Sequence, residues 1–288
     1  MVVNLLFACG LTDVCSAFLQ GERMKTGLVR RLVEISLGPL TIRRRLPSDA
    51  GASAILVSGK VGGLKYLLKG SRFWDPELLR IAGLLIRIGQ TVWDVGANVG
   101  LFSRAASFHA GANGWVLCIE ADVDAVVLLN RTCRLRAPDH ADMTVLPVAI
   151  SDADGFVKFA IAKRARAANS IKGYGSTQTG GVSELRTLPC VSLDNLLEHF
   201  PAPHLVKIDV EGAEALVLQG GARLLGKIRP AIYCEVQKES QVEVTRLLRQ
   251  HSYKLWDGEE FDGTSRPETP LATNNTVAIP IEKVERYA

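Results

Sequence analysis

Six cysteines, Cys9, Cys15, Cys118, Cys133, Cys190 and Cys234, form no Cys-x-x-Cys pair and have no histidine at ligand spacing, which excludes the usual zinc arrangements. They read as reduced thiols, mostly buried. No Gly-x-Gly-x-x-Gly occurs, so the fingerprint of a dinucleotide site is missing. Aromatic residues make up only 6% of the chain and do not interleave with the amino-terminal arginines, which removes the stacking surface that single-stranded nucleic acid would want. Residues 1–19 are apolar, but Asp13 interrupts them and no basic region precedes the apolar stretch. Neither a signal peptide nor a membrane span is expected there, whereas an apolar helix packing on the core or on a partner fits. No sign of charge dominates: the net charge is +4, with 22% charged and 47% hydrophobic residues, as in an ordinary globular protein of the cytoplasm.

The charge that is present lies unevenly, because basic residues outnumber acidic ones through residue 90. Arg30, Arg31, Arg43, Arg44 and Arg45 are placed to face an anionic substrate, a peripheral membrane surface or nucleic acid; a solvated face is the plain alternative. The length of 288 residues suits one sizeable α/β domain with an amino-terminal extension, or two small domains.

The most informative stretch is Thr91-Val92-Trp93-Asp94-Val95-Gly96-Ala97-Asn98-Val99-Gly100. It reads as an apolar strand ending in a carboxylate, a turn of small residues in which Gly96 and Gly100 allow torsions and close approaches that a Cβ would block, and a helix beginning near Leu101. The helix amino terminus then points at the turn. Twenty-six residues past Asp94, the run Trp115-Val116-Leu117-Cys118-Ile119 ends in Glu120, an acceptor for both hydroxyls of a ribose. A negative charge at Asp94 would repel a pyrophosphate and attract the sulfonium and ammonium of S-adenosylmethionine, which favours a methyl donor over NAD.

Further elements follow in α/β alternation. Asp75 is a candidate cap and Pro76 a first-turn residue of a helix whose apolar face is Leu78, Leu79, Ala82, Leu85 and Ile86. Residues 124–135 read as a helix, 143–150 as a third strand and 156–162 as a strand returning from the turn at 151–155. Residues 163–184 are polar, basic and glycine-rich, and a loop of this length is expected to be a mobile lid or a substrate-binding loop, an irregular surface insertion being the alternative. Extended structure resumes at Leu188, with a short helix over 194–199. The buried run Leu205-Val206-Lys207-Ile208 leads to Asp209, with Glu211 and Glu214 assigned to the first turn of the next helix, and Ala231-Ile232-Tyr233-Cys234 leads to Glu235. In an open parallel sheet these strand-end acids share one crevice with Asp94 and Glu120.

The paired segments Val92-Trp93-Asp94-Val95-Gly96-Ala97-Asn98-Val99-Gly100 and Leu205-Val206-Lys207-Ile208-Asp209-Val210-Glu211-Gly212-Ala213-Glu214 resemble the FkbM family of S-adenosylmethionine-dependent methyltransferases. Val148-Ala149-Ile150-Ser151-Asp152, Ser192-Leu193-Asp194 and Cys234-Glu235-Val236 match in order, and the likeness covers roughly residues 73–236. It implies a class I methyltransferase, Rossmann-like fold: a seven-stranded, mostly parallel sheet flanked by helices, with a reversed late strand expected over 275–281. A basic, partly helical extension would occupy 1–70 and the methyltransferase domain 71–288. By position, Asp94, Gly96, Asn98 and Gly100 would hold the methionine portion of the donor, Glu120 its ribose, and Asp152 the vicinity of its adenine. Asp209 and Glu211 would sit where donor and acceptor meet, Asp209 serving either as the base or as the partner of the donor's ammonium, with Glu211, Glu235 or His109 behind it as base. No metal ligands are assigned.

The leading function is O-methylation of a small-molecule or glycan hydroxyl, on a sugar or secondary metabolite. N-methylation of nucleic acid or protein, a NAD-binding oxidoreductase, and a module that binds cofactor without turnover are the competing classes.

Overall fold

The computed structural model describes residues 40–58, 61, 66, 74–135, 137–163, 169–175 and 181–288. The expected apolar helix at the amino terminus, with Arg30 and Arg31, lies outside these residues. Its first described elements are strands β1 (Thr41–Arg45) and β2 (Ala54–Ser58), an antiparallel hairpin. There follow α1 (Pro76–Leu85), β3 (Thr91–Val95), α2 (Leu101–Ala110), β4 (Trp115–Ile119), α3 (Val123–Cys133) and β5 (Asp142–Leu146). Strands β6 (Ala149–Ile150), β7 (Gly155–Ala162), β8 (Ser170–Ile171) and β9 (Val182–Val191) form a separate small sheet. The chain then runs through α4 (Leu193–Leu196), β10 (Leu205–Ile208), α5 (Glu214–Gln219), β11 (Ala231–Glu235), α6 (Gln241–Gln250), β12 (Tyr253–Asp257) and β13 (Asn275–Pro280).

The main sheet has seven strands in the order β12-β13-β11-β10-β3-β4-β5, parallel except for β13, which runs against both neighbours. This is the class I arrangement, with the reversed strand where the sequence placed it. Successive residues of a strand face opposite sides. Val92, Val116 and Leu205 therefore enter one apolar layer with α1, α2 and α3, while Trp93, Leu117 and Val206 enter the other with α4, α5 and α6. The chain leaves β3 toward β4 on one side, and β10 lies on the other. The carboxyl ends of β3 and β10 thus flank the point where strand order reverses, which is where such sheets open a crevice.

Residues 41–58, which the sequence assigned to the extension, pack into the first of these layers through Leu46, Ala50, Ile55 and Val57. The Leu56 amide also donates to Thr132 Oγ1 of α3 at 3.0 Å.

Three local expectations change. Residues 143–150 are two strands, since Pro147 cannot donate to a ladder and Ala149–Ile150 pairs with β9 in the small sheet. Asp75 precedes α1 but makes no side-chain cap; its carboxylate instead accepts from the Tyr66 hydroxyl at 2.8 Å. Glu211 is not in a helical turn: it sits at φ 53° before Gly212 at φ 101°, and α5 begins at Glu214.

Candidate active site

Three adjoining clefts open along the carboxyl edge of β3 and β10, and Asp209 and Glu211 line all of them. The first runs from Gly96 and Asn98 past Glu120 and Asp122 to an apolar end made by Ile150, Phe159 and Ile171. The second passes between Gly173–175 and the Gln237–Ser240 segment. The third lies under Tyr66, Glu77, Tyr233 and Asn275 and has Lys207 at its floor.

The turn after β3 is shaped by the neighbouring strand end. Gly96 has φ 78°, and a Cβ there would lie 1.8 Å from the carbonyl oxygen of Asp209. Only glycine lets the two strand ends meet so closely. Gly100 (φ 89°) starts α2 and is packed under Leu129, so it shapes the turn without lining a cleft. Asn98 (φ 51°) lines the first and third clefts, and its amide donates to Glu120 Oε2 at 2.7 Å.

Glu120 receives a second backbone bond, from the Asp122 amide to Oε1 at 2.8 Å. Burial raises its pKa to about 7, although these two amides pull the other way. Each oxygen keeps a second lone pair.

Asp94 occupies a different place from the one the strand-end reading gave it. It is fully buried and lines none of the three clefts. Ser103 of α2 donates to its Oδ2 at 2.5 Å, and the Lys207 ammonium lies 3.1 Å from its Oδ1. The charge argument built on Asp94 therefore passes to the carboxylates that do line the first cleft: Glu120, Asp122, Asp209 and Glu211. Asp152 also stands apart. It is exposed, accepts from Ser151 Oγ at 2.9 Å and lines no cleft, while its neighbour Ile150 does. His109 packs against Gly83 and Phe108 away from all three clefts, which removes it as a candidate base. Glu235 lines the second and third clefts.

Asn169 gave no sequence signal. It stands inside the polar 163–184 stretch, where residues 164–168 and 176–180 lie outside the described set. Its Oδ1 accepts from the Ala162 amide and its Nδ2 donates to Asp122 Oδ2, both at 2.8 Å. These bonds bring 169–175 over the first and second clefts as a packed wall. Gly175 packs so tightly on the Glu211–Gly212 turn that a Cβ there would meet the Glu211 carbonyl at 2.9 Å. Glu77, Tyr233 and Asn275 were equally silent, because they come from three distant elements. The Tyr233 hydroxyl donates to Glu77 at 3.2 Å and the Asn275 amide nitrogen donates to it at 3.1 Å.

Comparison with known proteins gives the lineage. The signature described as "Methyltransferase FkbM domain" matches residues 94–255. The chain belongs to the FkbM methyltransferase family. Within the matched FkbM segment fall all the residues above except Tyr66, Glu77, Gly83 and Asn275. The hexuronic acid methyltransferase AglP of Haloferax volcanii is 30% identical over 161 residues, 54% of this chain and 60% of that one. A methyltransferase FkbM from Methylobacillus flagellatus, known as a crystal structure, is 14% identical with a TM-score of 0.43, over 66% of this chain and 43% of that chain. Fibrillarin from Aeropyrum pernix with bound S-adenosyl-L-methionine is 11% identical with a TM-score of 0.40, over 79% and 89%. The FkbM chain here thus spans 60% of AglP and 43% of the Methylobacillus protein. No helix among the described residues is long and apolar enough to cross a membrane.

Proposed function

We propose that this FkbM chain transfers a methyl group from S-adenosyl-L-methionine to a hydroxyl of a sugar or glycan. The observation that carries this reading is the position of Asp209 and Glu211 on all three clefts, at the junction between a pocket that suits the donor and two that are open to an acceptor. The residues of the first cleft fit the donor in kind. Glu120 retains acceptor capacity for ribose hydroxyls, Ile150, Phe159 and Ile171 offer an apolar berth for a flat base, and Gly96 and Asn98 form the end nearest Asp209. Asp94 supports that end from behind, through Ser103 and Lys207.

When bound, the donor supplies an electrophilic methyl group for in-line displacement. The protein contributes placement and exclusion of water. Asp209, with a side chain 31% exposed, is placed to accept the proton of the acceptor hydroxyl, and the Gln237 amide steadies Glu211 beside it at 3.2 Å. Sugar as the acceptor class is supported by the relative whose name specifies a hexuronic acid, and by a third cleft lined with tyrosine, carboxylate and amide side chains able to exchange hydrogen bonds with hydroxyls.

The test is direct. Incubation with the donor and a panel of sugars, followed by mass spectrometry, should show the gain of one methyl group on a hydroxyl. Calorimetric titration with S-adenosyl-L-methionine and with NAD separates the classes, and binding of NAD alone would end this reading.

A further inference from the structure

Lys207 is a lysine in the middle of a buried parallel strand, a costly place for a charge. Its side chain is 4% exposed. In register it stands beside Asp94 of β3, and two residues before Asp209, so all three side chains fall on one side of the pleat. An ammonium has three N–H donors. Here the ammonium donates to the Gly96 carbonyl at 2.8 Å and forms ion pairs with Asp94 Oδ1 at 3.1 Å and Asp209 Oδ2 at 3.3 Å. Burial opposes the charge, but the carboxylates of Asp94 and Asp209 outweigh it and hold the ammonium's pKa well above the ordinary lysine value. Glu235 from β11 acts in the same direction.

We propose that Lys207 is a positioning residue, which fixes the carboxylate of Asp209 against the turn at Gly96 and so sets the reacting group relative to the donor pocket. A buried Lys–Asp pair is by itself poor evidence of function, since well-packed apolar residues often replace such pairs without loss of stability. The third contact tells more. Asp209 is partly exposed and water could solvate it, so the fold does not require an ammonium there. What that contact does is hold still the carboxylate shared by all three clefts. Buried between the Gly96 carbonyl and two carboxylates, Lys207 positions Asp209 rather than reaching for a ligand. The inference rests on the reading that Asp209 serves the methyl-transfer centre.

Lys207→Met alone would leave Asp94 buried without its cation, so the informative variant is Asp94→Asn with Lys207→Met, which removes both charges. It should keep a cooperative thermal transition and donor affinity within about threefold, while kcat falls by roughly tenfold or more. A folded double variant with wild-type kcat overturns the proposal. If Asp209→Asn alone retains full kcat, the role of Asp209 fails first; if that variant is inactive while the double variant is normal, only the role of Lys207 fails. Should the double variant not fold, nitrogen-detected magnetic resonance of the Lys207 ammonium serves instead. Its signal should shift on Asp209→Asn, and an unchanged signal would overturn the proposal.

Discussion

The backbone amide of Asn98 donates to the carboxylate of Glu120 across 2.7 Å, which fastens the turn after β3 to the end of β4 between two residues that line the first cleft. Glu120 is therefore both a structural acceptor and the group that faces the cleft. Its pKa of about 7 places that double role inside the physiological range.

Donor affinity should rise as pH increases from about 6 to 8, because ribose hydroxyls donate better to a carboxylate than to a carboxylic acid. The stability effect has the opposite sign. A native pKa raised from 4.5 to about 7 means that the folded chain retains a proton the unfolded chain gives up, so stability falls as pH climbs through that interval. Titration calorimetry of wild type and Glu120→Gln across this range checks the first point, the variant losing roughly tenfold in affinity at pH 8 together with its pH dependence. Thermal melts check the second: wild type should lose ground relative to Glu120→Gln as pH rises.

Gly96→Ala should be among the most damaging single changes in the protein. The added Cβ would lie 1.8 Å from the carbonyl oxygen of Asp209, a residue tied to β3 by its amide bond to the Val95 carbonyl, and the residue would be forced to keep φ 78°. The left-handed torsion alone costs about 1 kcal/mol, and a clash with fixed backbone carries the total into the range above about 4 kcal/mol. Circular dichroism during thermal unfolding measures this, and a melt within a few degrees of wild type would mean that the strand ends can separate.

Asn169→Ala isolates the wall built from the 163–184 stretch. The substitution leaves the buried Ala162 amide without its acceptor and removes one of the hydrogen bonds to Asp122, at a cost of about 1–3 kcal/mol. Donor affinity should fall several-fold while the main sheet stays intact. Unchanged affinity would place that wall outside the donor pocket.

Much of this was legible in the sequence, for local reasons. The strand, turn and helix from Thr91 onward and the strand leading to Asp209 are encoded by contiguous apolar periodicity and glycine placement, whereas the reversed strand near Asn275 was implied by the family resemblance. The pairing of β10 with β3 is not local. It is that register which sets Lys207 beside Asp94 and neutralises a carboxylate that, read along the chain, looked free to meet a ligand. Asn169 was hidden for a related reason: its partners are 7 and 47 residues away, and a polar residue in a polar stretch carries no periodic signature.

The third cleft offers the means of separating acceptor recognition from chemistry. Glu77 receives hydrogen bonds from Tyr233 and Asn275, and burial raises its pKa above the ordinary glutamate value. The three side chains line this cleft together with Gly96, Asn98 and Asp209. If a sugar rests there, Tyr233→Phe removes one hydroxyl from the wall with little change in shape. KM for the acceptor should then rise by about 3–10-fold, with kcat and donor affinity close to wild type, as expected for loss of an interaction made equally in ground and transition states. Asn275→Ala should act in the same direction. Asp209→Asn should do the reverse, lowering kcat by roughly 10²–10⁴-fold with KM nearly unchanged. Steady-state kinetics on one confirmed acceptor distinguishes the two patterns, and a fall in kcat for Tyr233→Phe with constant KM would move that residue from the acceptor wall to the reacting centre.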